Sequence, residues 1–281
     1  MGGQAQPLPD DLLRPFAGWG TITQREFTGY SDYHSLQFAV NRRRSADGLA
    51  FGAAYTYQMV NKGLGNNIDP FVADNRARNY TSAGRRPHVL VINYSYEIPG
   101  LGQKWDHVLT RAIFDNWQVS GVTTFTTGTY GNLTYSFSNV PTGALSGTGT
   151  INGGASRVVF TCDPNLPRGE RTFERQFRTE CVAPPTDQFR LGTALNDEYL
   201  GPGYMNWDIS VFKNVPLGGA RRLQFRVELY NAFNSDQWTA VNTNANFDYT
   251  TGALTNPTVF GRLTGATLSA RRIQLGAHLS F

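Results

Sequence analysis

The chain has 281 residues, of which 40% are hydrophobic, and a formal net charge of +4, a composition that excludes a disordered chain. Charged residues make up only 16%, against roughly a quarter in typical soluble domains. The basic residues are spread along the chain without forming a stripe, so nucleic acid is not an expected partner. No apolar run is long enough for a membrane helix, but membrane strands need apolar residues only at alternate positions.

Seven segments alternate apolar and polar residues, which predicts β-strands with two different faces. In chain order they are 35–43, 49–59, 88–98, 116–128, 206–217, 221–233 and 271–281, and 19–27 is a possible eighth. Most are close to the ~9 to 11 residues that a tilted strand needs to cross a bilayer. Strands of soluble domains more often have ~5 to 6 residues, so the lengths favour a membrane.

The connections between these segments alternate between two kinds. Residues 44–48, 99–115 and 216–220 are short or moderate links, whereas 61–87, 130–205 and 232–270 are long. Outer-membrane barrels have short periplasmic turns and long extracellular loops. With the C-terminus in the periplasm, every long connection is extracellular, and so are residues 1–32.

The last strand ends on a pattern of its own. Gln274, Gly276, Leu279 and Phe281 fit the polar-x-Gly-x-x-apolar-x-aromatic pattern of the closing strand of outer-membrane barrels. The alternative is an ordinary edge strand at the end of a soluble protein.

Two cysteines, Cys162 and Cys181, flank a stretch rich in Arg and Glu. Their spacing matches no zinc motif, so we expect a disulfide and hence an oxidising compartment. The intervening residues are expected to form a solvated surface loop whose charges pair with one another.

Four charged residues, Asp208, Arg226, Glu228 and Arg272, share the polar face of the last three predicted strands. They are candidates for a lumen surface that contacts a substrate or a plug. The alternative is a solvated ladder of ion pairs between neighbouring strands.

Trp117 and Trp207 lie near strand ends and are expected in aromatic girdles at the membrane interfaces.

The sequence contains no recognisable catalytic or metal-binding motif. It has no Gly-x-Ser-x-Gly, no phosphate-binding loop and no His-Glu-x-x-His, and its four histidines are far apart. We therefore expect neither an enzyme nor a cofactor or bound metal.

Several segments resemble one family, the TonB-dependent outer-membrane transporters and in particular their Oar-like branch. The most specific is the hairpin NWDISVFKN…RRLQFRVELYNAFN. The others are GYSDYHSLQFAVNRR, GLAFGAAYTYQ, NWQVSGVTTFTTGTYG, CDPNLPRGERTFERQF and the terminal strand. The resemblance implies a plugged barrel of ~22 strands that moves a bulky substrate. It also implies as partners the lipid of a Gram-negative outer membrane, the barrel assembly machinery, which reads the terminal strand, a plug domain and TonB.

No plug domain, TonB box or N-terminal regulatory domain is visible in the sequence, and its first residues do not have the pattern of a signal peptide. We therefore expect an all-β fold in which residues 1–281 form the C-terminal part of a larger antiparallel transmembrane barrel, with seven or eight long strands. Two alternatives are a small self-contained outer-membrane barrel with an adhesive or structural role, and a secreted β-sandwich that binds carbohydrate.

Overall fold

The structure, a computed structural model, describes residues 30–64, 80–81, 85–100, 108–141, 157–186, 199–266 and 270–281, with the single residues 16, 102, 192 and 194. No helix among these residues is long and apolar enough to span a membrane. The possible strand at 19–27 lies outside the described residues.

The regular secondary structure of the described residues is almost entirely β. Its strands, in chain order, are β1 (Ser31–Arg42), β2 (Leu49–Leu64), β3 (Tyr80–Thr81), β4 (His88–Glu97), β5 (Trp117–Thr126), β6 (Tyr130–Gly131), β7 (Thr134–Ser138), β8 (Val159–Phe160), β9 (Val182–Ala183), β10 (Tyr199–Leu200), β11 (Tyr204–Gly218), β12 (Arg221–Tyr230), β13 (Trp238–Val241), β14 (Asn244–Asp248), β15 (Leu263–Ala266) and β16 (Arg272–Ser280). One short helix, Val108–Phe114, precedes β5, and single 3-10 turns occur at Arg168–Glu170 and Thr179–Cys181. All seven predicted long strands are confirmed, with bounds that differ by a few residues.

The long strands form one antiparallel sheet in the order β1-β2-β4-β5-β11-β12-β16, with the short β3 added to β2. Each long strand therefore pairs with the long strands that precede and follow it along the chain. The sheet is open, because β1 and β16 are its two edges in the described part of the chain and do not pair with each other.

The register gives this sheet one apolar and one polar face, because directly opposite residues point to the same side. One apolar row runs from Phe38 through Tyr55, Leu90 and Phe125 to Met205. The corresponding polar positions include Asn93, Ser95, Ser120, Ser210, Gln224 and Gln274. The apolar side chains at the sheet edges are exposed, Leu275 at 76% and Phe38 at 59%. This is the arrangement of a transmembrane sheet with its apolar face towards lipid.

The short and the long connections lie at opposite ends of the strands, as the sequence predicts. The link between β11 and β12 is the tightest, and Gly218 and Gly219 both have positive φ values (92° and 60°) there, a conformation that glycine adopts without strain. Residues 43–48 and 98–116 link strands at this same end of the sheet. Here and below, the periplasmic edge is the end of the strands that carries these short links, and the extracellular edge is the opposite end. The three long connections all leave from the other, extracellular edge.

The two tryptophans of the apolar face lie at opposite ends of the membrane-spanning strands. Trp117 starts β5 at the periplasmic edge and is paired with Lys213. Trp207 lies near the extracellular edge, where its ring packs edge-on against Phe125 and Phe233 at centroid distances of 5.8 and 5.7 Å. Both positions are those of the aromatic girdles of outer-membrane barrels.

The buried core lies outside the sheet, in a loop unit formed by residues 127–141, 157–186, 199–203 and 231–266 together with Ala194. Its core residues are Leu133, Tyr135, Val158, Phe177, Val182, Ala194, Tyr199, Ala245, Phe247 and Phe260. The parallel pair β7–β14 joins the connection after β5 to the connection after β12. The sequence predicted long connections here, and the structure adds that they contain paired short strands and a hydrophobic core of their own.

Candidate functional site

The register places the four charged candidates, Asp208, Arg226, Glu228 and Arg272, on the polar face. Arg226 lies opposite Gly276, Glu228 opposite Gln274, and Arg272 opposite Tyr230. Asp208 and Arg272 are near the extracellular ends of their strands, whereas Arg226 and Glu228 lie at increasing distance from the extracellular end of β12, Glu228 two residues and Arg226 four residues before Tyr230. The four residues therefore share a face without forming one cluster, and their role in substrate binding stays a prediction.

Asp208 holds the turn that follows β12. Its Oδ1 accepts a hydrogen bond from the backbone N–H of Asn231 at 2.9 Å, and its Oδ2 accepts one from Nδ2 of Asn206 at 3.0 Å. The neighbouring backbone N–H of Ala232 donates to the carbonyl oxygen of Trp207 at 2.8 Å. These bonds attach the beginning of the long connection 231–271 to β11.

Asn231 closes this turn internally. Its φ of 51° is in the left-handed region, where Asn is among the few residues that are tolerated besides glycine. Its side chain donates to the carbonyl oxygen of Ser235 at 3.1 Å and accepts from the N–H of Ser235 at 3.0 Å. Asn234 is also left-handed (φ 51°), and its N–H donates to the carbonyl oxygen of Asn231.

At the start of β11, the side chain of Gln237 makes the backbone hydrogen bonds that a neighbouring strand would otherwise make. Its side chain is only 5% exposed. Its Oε1 accepts from the backbone N–H of Met205 at 3.0 Å, and its Nε2 donates to the carbonyl oxygen of Met205 at 2.7 Å. The sequence did not identify Asn231 or Gln237 as site residues, although Asn231 is part of the YNAFN motif in the hairpin that carries the family resemblance.

The charged pair on β12 differs from the predicted ladder between strands. Arg226 and Glu228 form an ion pair at 3.9 Å along one strand. The side chain of Arg226 also extends over Gly276 of β16, and a Cβ atom at position 276 would lie 2.6 Å from its Nε. Gly276 of the terminal pattern thus leaves the space that the Arg226 side chain fills.

A groove of about 780 Å³ opens beside these residues at the extracellular end of β12 and β16. Its polar lining is Asn206, Asp208, Tyr230, Asn231, Arg272 and Gln274. Ile273 and Leu275 also line it, because the groove wraps around the free edge of β16. Its volume is within the usual range for small-molecule sites, ~300 to 1,000 Å³, and its amide, hydroxyl and charged groups are suited to hydrogen bonding.

No group of three or more His, Cys, Asp or Glu side chains that could hold a metal ion occurs among the described residues.

The remaining predicted residues are placed as follows. Gln274 and Gly276 are on the polar face of β16, Leu279 is on the apolar face, and Phe281 follows the end of the strand and is 95% exposed. The predicted disulfide between Cys162 and Cys181 is present, within the loop unit.

The stretch between the cysteines is only partly the solvated, self-paired loop that we expected. Arg175 does pair with Glu180. Phe177, however, is fully buried at the centre of the loop unit, and Arg171 donates to the carbonyl oxygens of Leu166 and Leu200 at 3.0 and 2.8 Å. The stretch is therefore an integral part of the loop-unit core, which charge composition alone could not indicate.

Comparison with known families gives a match over residues 2–274 to the family described as outer membrane beta barrel domain. No curated protein and no solved structure matches the chain. The match supports an outer-membrane barrel without identifying it as a TonB-dependent transporter, and it leaves the alternative of a secreted β-sandwich without support. With its open antiparallel sheet, one face apolar and the other polar, the chain belongs to the outer membrane beta barrel domain family and is a protein of the outer membrane.

Proposed function

We propose that the chain forms the C-terminal part of the barrel of a TonB-dependent, Oar-like receptor that takes up or exports a bulky substrate. The observation that carries this proposal is the open sheet of long, two-faced strands whose edges, β1 and β16, do not meet in the described residues. The family resemblance of the β11–β12 hairpin points to the same class of protein.

The unpaired edge strands β1 and β16 could not face lipid without partners. An unpaired edge strand presents backbone N–H and C=O groups that find no hydrogen-bond partner in lipid, each at a cost of several kcal/mol. The described residues contain seven long strands, whereas bacterial single-chain barrels have an even number. Further strands must therefore complete the wall, and a wall with many strands encloses a wide lumen that a plug fills at ~22 strands.

The polar face and the loop unit supply surfaces for a substrate. In a large barrel the polar face lines the lumen, where Arg226 and Glu228 are available to a plug or a passing substrate. The loop unit lies at the extracellular mouth, beside the groove lined by Asp208, Tyr230 and Arg272. We assign recognition of the substrate to the polar side chains of Asp208, Tyr230 and Arg272 at this mouth and to the loop unit, with no catalytic step and no cofactor.

The partners follow from the same proposal. The barrel assembly machinery would read the terminal pattern of Gln274, Gly276, Leu279 and Phe281. The proposal also makes a plug domain and TonB partners of this barrel wall.

Cross-linking between the two edges tests the size of the barrel. Ala39→Cys on β1 is combined in turn with cysteines along β16, in outer membranes that contain the full-length gene product, and disulfide formation is measured. We expect no cross-link at any position of β16. The matched control is Ala39→Cys with Ala54→Cys, which lie directly opposite on β1 and β2 and should cross-link readily.

An efficient β1–β16 cross-link would contradict a large barrel and favour a small self-contained one with an adhesive or structural role. Dependence on TonB is measured separately, as retention of the full-length gene product on the immobilised periplasmic domain of TonB. We expect retention; its absence would contradict the receptor assignment even if the barrel is large.

A further inference from the structure

The short helix Val108–Phe114 lies in the connection between β4 and β5, at the periplasmic edge of the sheet. We propose that this helix lies in the headgroup region of the periplasmic leaflet and anchors the barrel to the phospholipid surface. The family match spans residues 2–274 and assigns no role to this helix.

Two side chains of the apolar face hold the C-terminal end of the helix. The indole N–H of Trp117 donates to the carbonyl oxygen of Ile113 at 2.7 Å, and Nζ of Lys213 donates to the same oxygen at 3.1 Å. Lys213 also donates to the carbonyl oxygen of Asp115. A cation and an indole N–H thus satisfy carbonyl groups that a helix C-terminus leaves without partners.

These contacts place the end of the helix on the lipid side of the sheet. Trp117 and Lys213 are directly opposite each other on β5 and β11, and Lys213 is opposite Phe225 on β12. All three positions belong to the apolar face. The Lys213 ammonium lies 5.1 Å from the centroid of the Trp117 ring, and both residue types concentrate where membrane meets water. The helix therefore continues a surface that already faces lipid.

The helix presents large apolar side chains on its surface. Leu109 is 65% exposed and Ile113 is 58% exposed, and their spacing of four residues places them on one side of the helix. Arg111, two residues from each, is on the opposite side. An exposed apolar stripe opposite a basic residue is the pattern of a helix that lies in a membrane interface. Phe114, 46% exposed, is a third large apolar side chain on the surface of the helix.

Fluorescence of an environment-sensitive probe tests this position. An NBD probe is attached to Ile113→Cys, and separately to Leu109→Cys, in the protein reconstituted in vesicles of phosphatidylethanolamine and phosphatidylglycerol. Val227→Cys on the apolar face serves as the lipid reference, and Ala220→Cys in the periplasmic turn serves as the water reference. The native cysteines are joined in a disulfide, so each variant has one reactive thiol.

We expect both helix probes to show blue-shifted emission and to be quenched by lipids that carry a nitroxide near the headgroup. They should be largely protected from iodide, in contrast to the probe at position 220. If both helix probes match that water reference in emission and in quenching by iodide, the proposal is wrong. Two probe positions on one face keep the test valid if one of the variants fails to fold.

Discussion

At the scale of single residues, the extracellular mouth is held by side chains that take the place of backbone partners. Asp208 accepts a hydrogen bond from the backbone N–H of Asn231, and Gln237 forms two hydrogen bonds with the backbone of Met205. The sequence could place Asp208 on the polar face, because strand periodicity determines the face. It could not predict the partner of Asp208, because Asn231 belongs to a turn whose conformation depends on contacts made after folding.

Replacing Asp208 by Ala should weaken the attachment of this turn. Two hydrogen bonds to a carboxylate are lost, and the N–H of Asn231 is left without this acceptor, so we expect the free energy of unfolding to fall by about 1–3 kcal/mol. Urea unfolding in detergent micelles measures the change. Asp236→Ala, in the same connection and exposed, is the control and should have little effect; equal losses for the two variants would contradict the assigned role.

Asp248 in the loop unit should titrate unusually low. The amide of Asn139, then the backbone N–H and hydroxyl of Thr251, lower the pKa of Asp248 from 3.8 to about 2. Because the folded state favours the carboxylate, its contribution to stability is complete above pH 3.8 and is lost as the pH falls towards 2.

A carboxyl-detected NMR titration of the folded protein measures the pKa of Asp248 directly. Asp248→Asn should remove this part of the acid dependence of stability. A measured pKa at the ordinary value of 3.8 would show that these hydrogen bonds do not favour the charged form.

At the scale of elements, the long strands were predictable because alternation of side chains is a local property of each strand. The short strands of the loop unit were not predictable, because β8, β9 and β10 have two residues each, too few to show an alternation of apolar and polar side chains. The parallel pair β7–β14 joins Thr134 to Asn244, and such distant pairing leaves no signal in either segment. The disulfide was predictable from the presence of only two cysteines.

Gly121 should be required where β5 crosses the centre of the sheet. A Cβ atom at this position would lie 2.6 Å from the hydroxyl oxygen of Tyr94 and 2.6 Å from the backbone carbonyl oxygen of Asp208. The backbone of a paired strand cannot move away easily, so we expect Gly121→Ala to lower the free energy of unfolding by about 1–3 kcal/mol.

The matched control for this substitution is Gly131→Ala on β6. A Cβ atom there would have its nearest neighbour at 3.9 Å, so the change should stay within about 0.5 kcal/mol. The two variants are compared by urea unfolding, and the prediction is wrong if Gly121→Ala is as well tolerated as its control.

Removing the disulfide should loosen the loop unit while leaving the sheet intact. In the loop-entropy model a disulfide that closes a loop of this length contributes about 3 kcal/mol, and the long strands are paired independently of it. For the variant Cys162→Ala/Cys181→Ala we expect faster cleavage within 157–186 by an external protease and an unchanged far-ultraviolet circular dichroism spectrum. Identical cleavage rates with and without the disulfide would contradict a structural role for it.

At the scale of the whole molecule, the sheet separates two environments and the loop unit lies at one edge of it. The buried hydrophobic core is in the loop unit, whereas the apolar face of the sheet exposes side chains such as Phe38 and Leu275. That distribution is the reverse of a soluble β-sandwich, whose core lies between its sheets. This distribution is expected when lipid surrounds the sheet and water surrounds the loop unit.

The most direct test of this account is the accessibility of nitroxide labels along β12, placed one at a time from position 223 to position 230 in outer-membrane vesicles. β12 lies between β11 and β16, so its two faces are defined by neighbours on both sides. The account predicts that labels at 223, 225, 227 and 229 are accessible to oxygen dissolved in lipid. Labels at 224, 226, 228 and 230 should instead be accessible to a water-soluble nickel complex. Equal accessibility to the nickel complex at all eight positions, without a period of two, would contradict a transmembrane sheet.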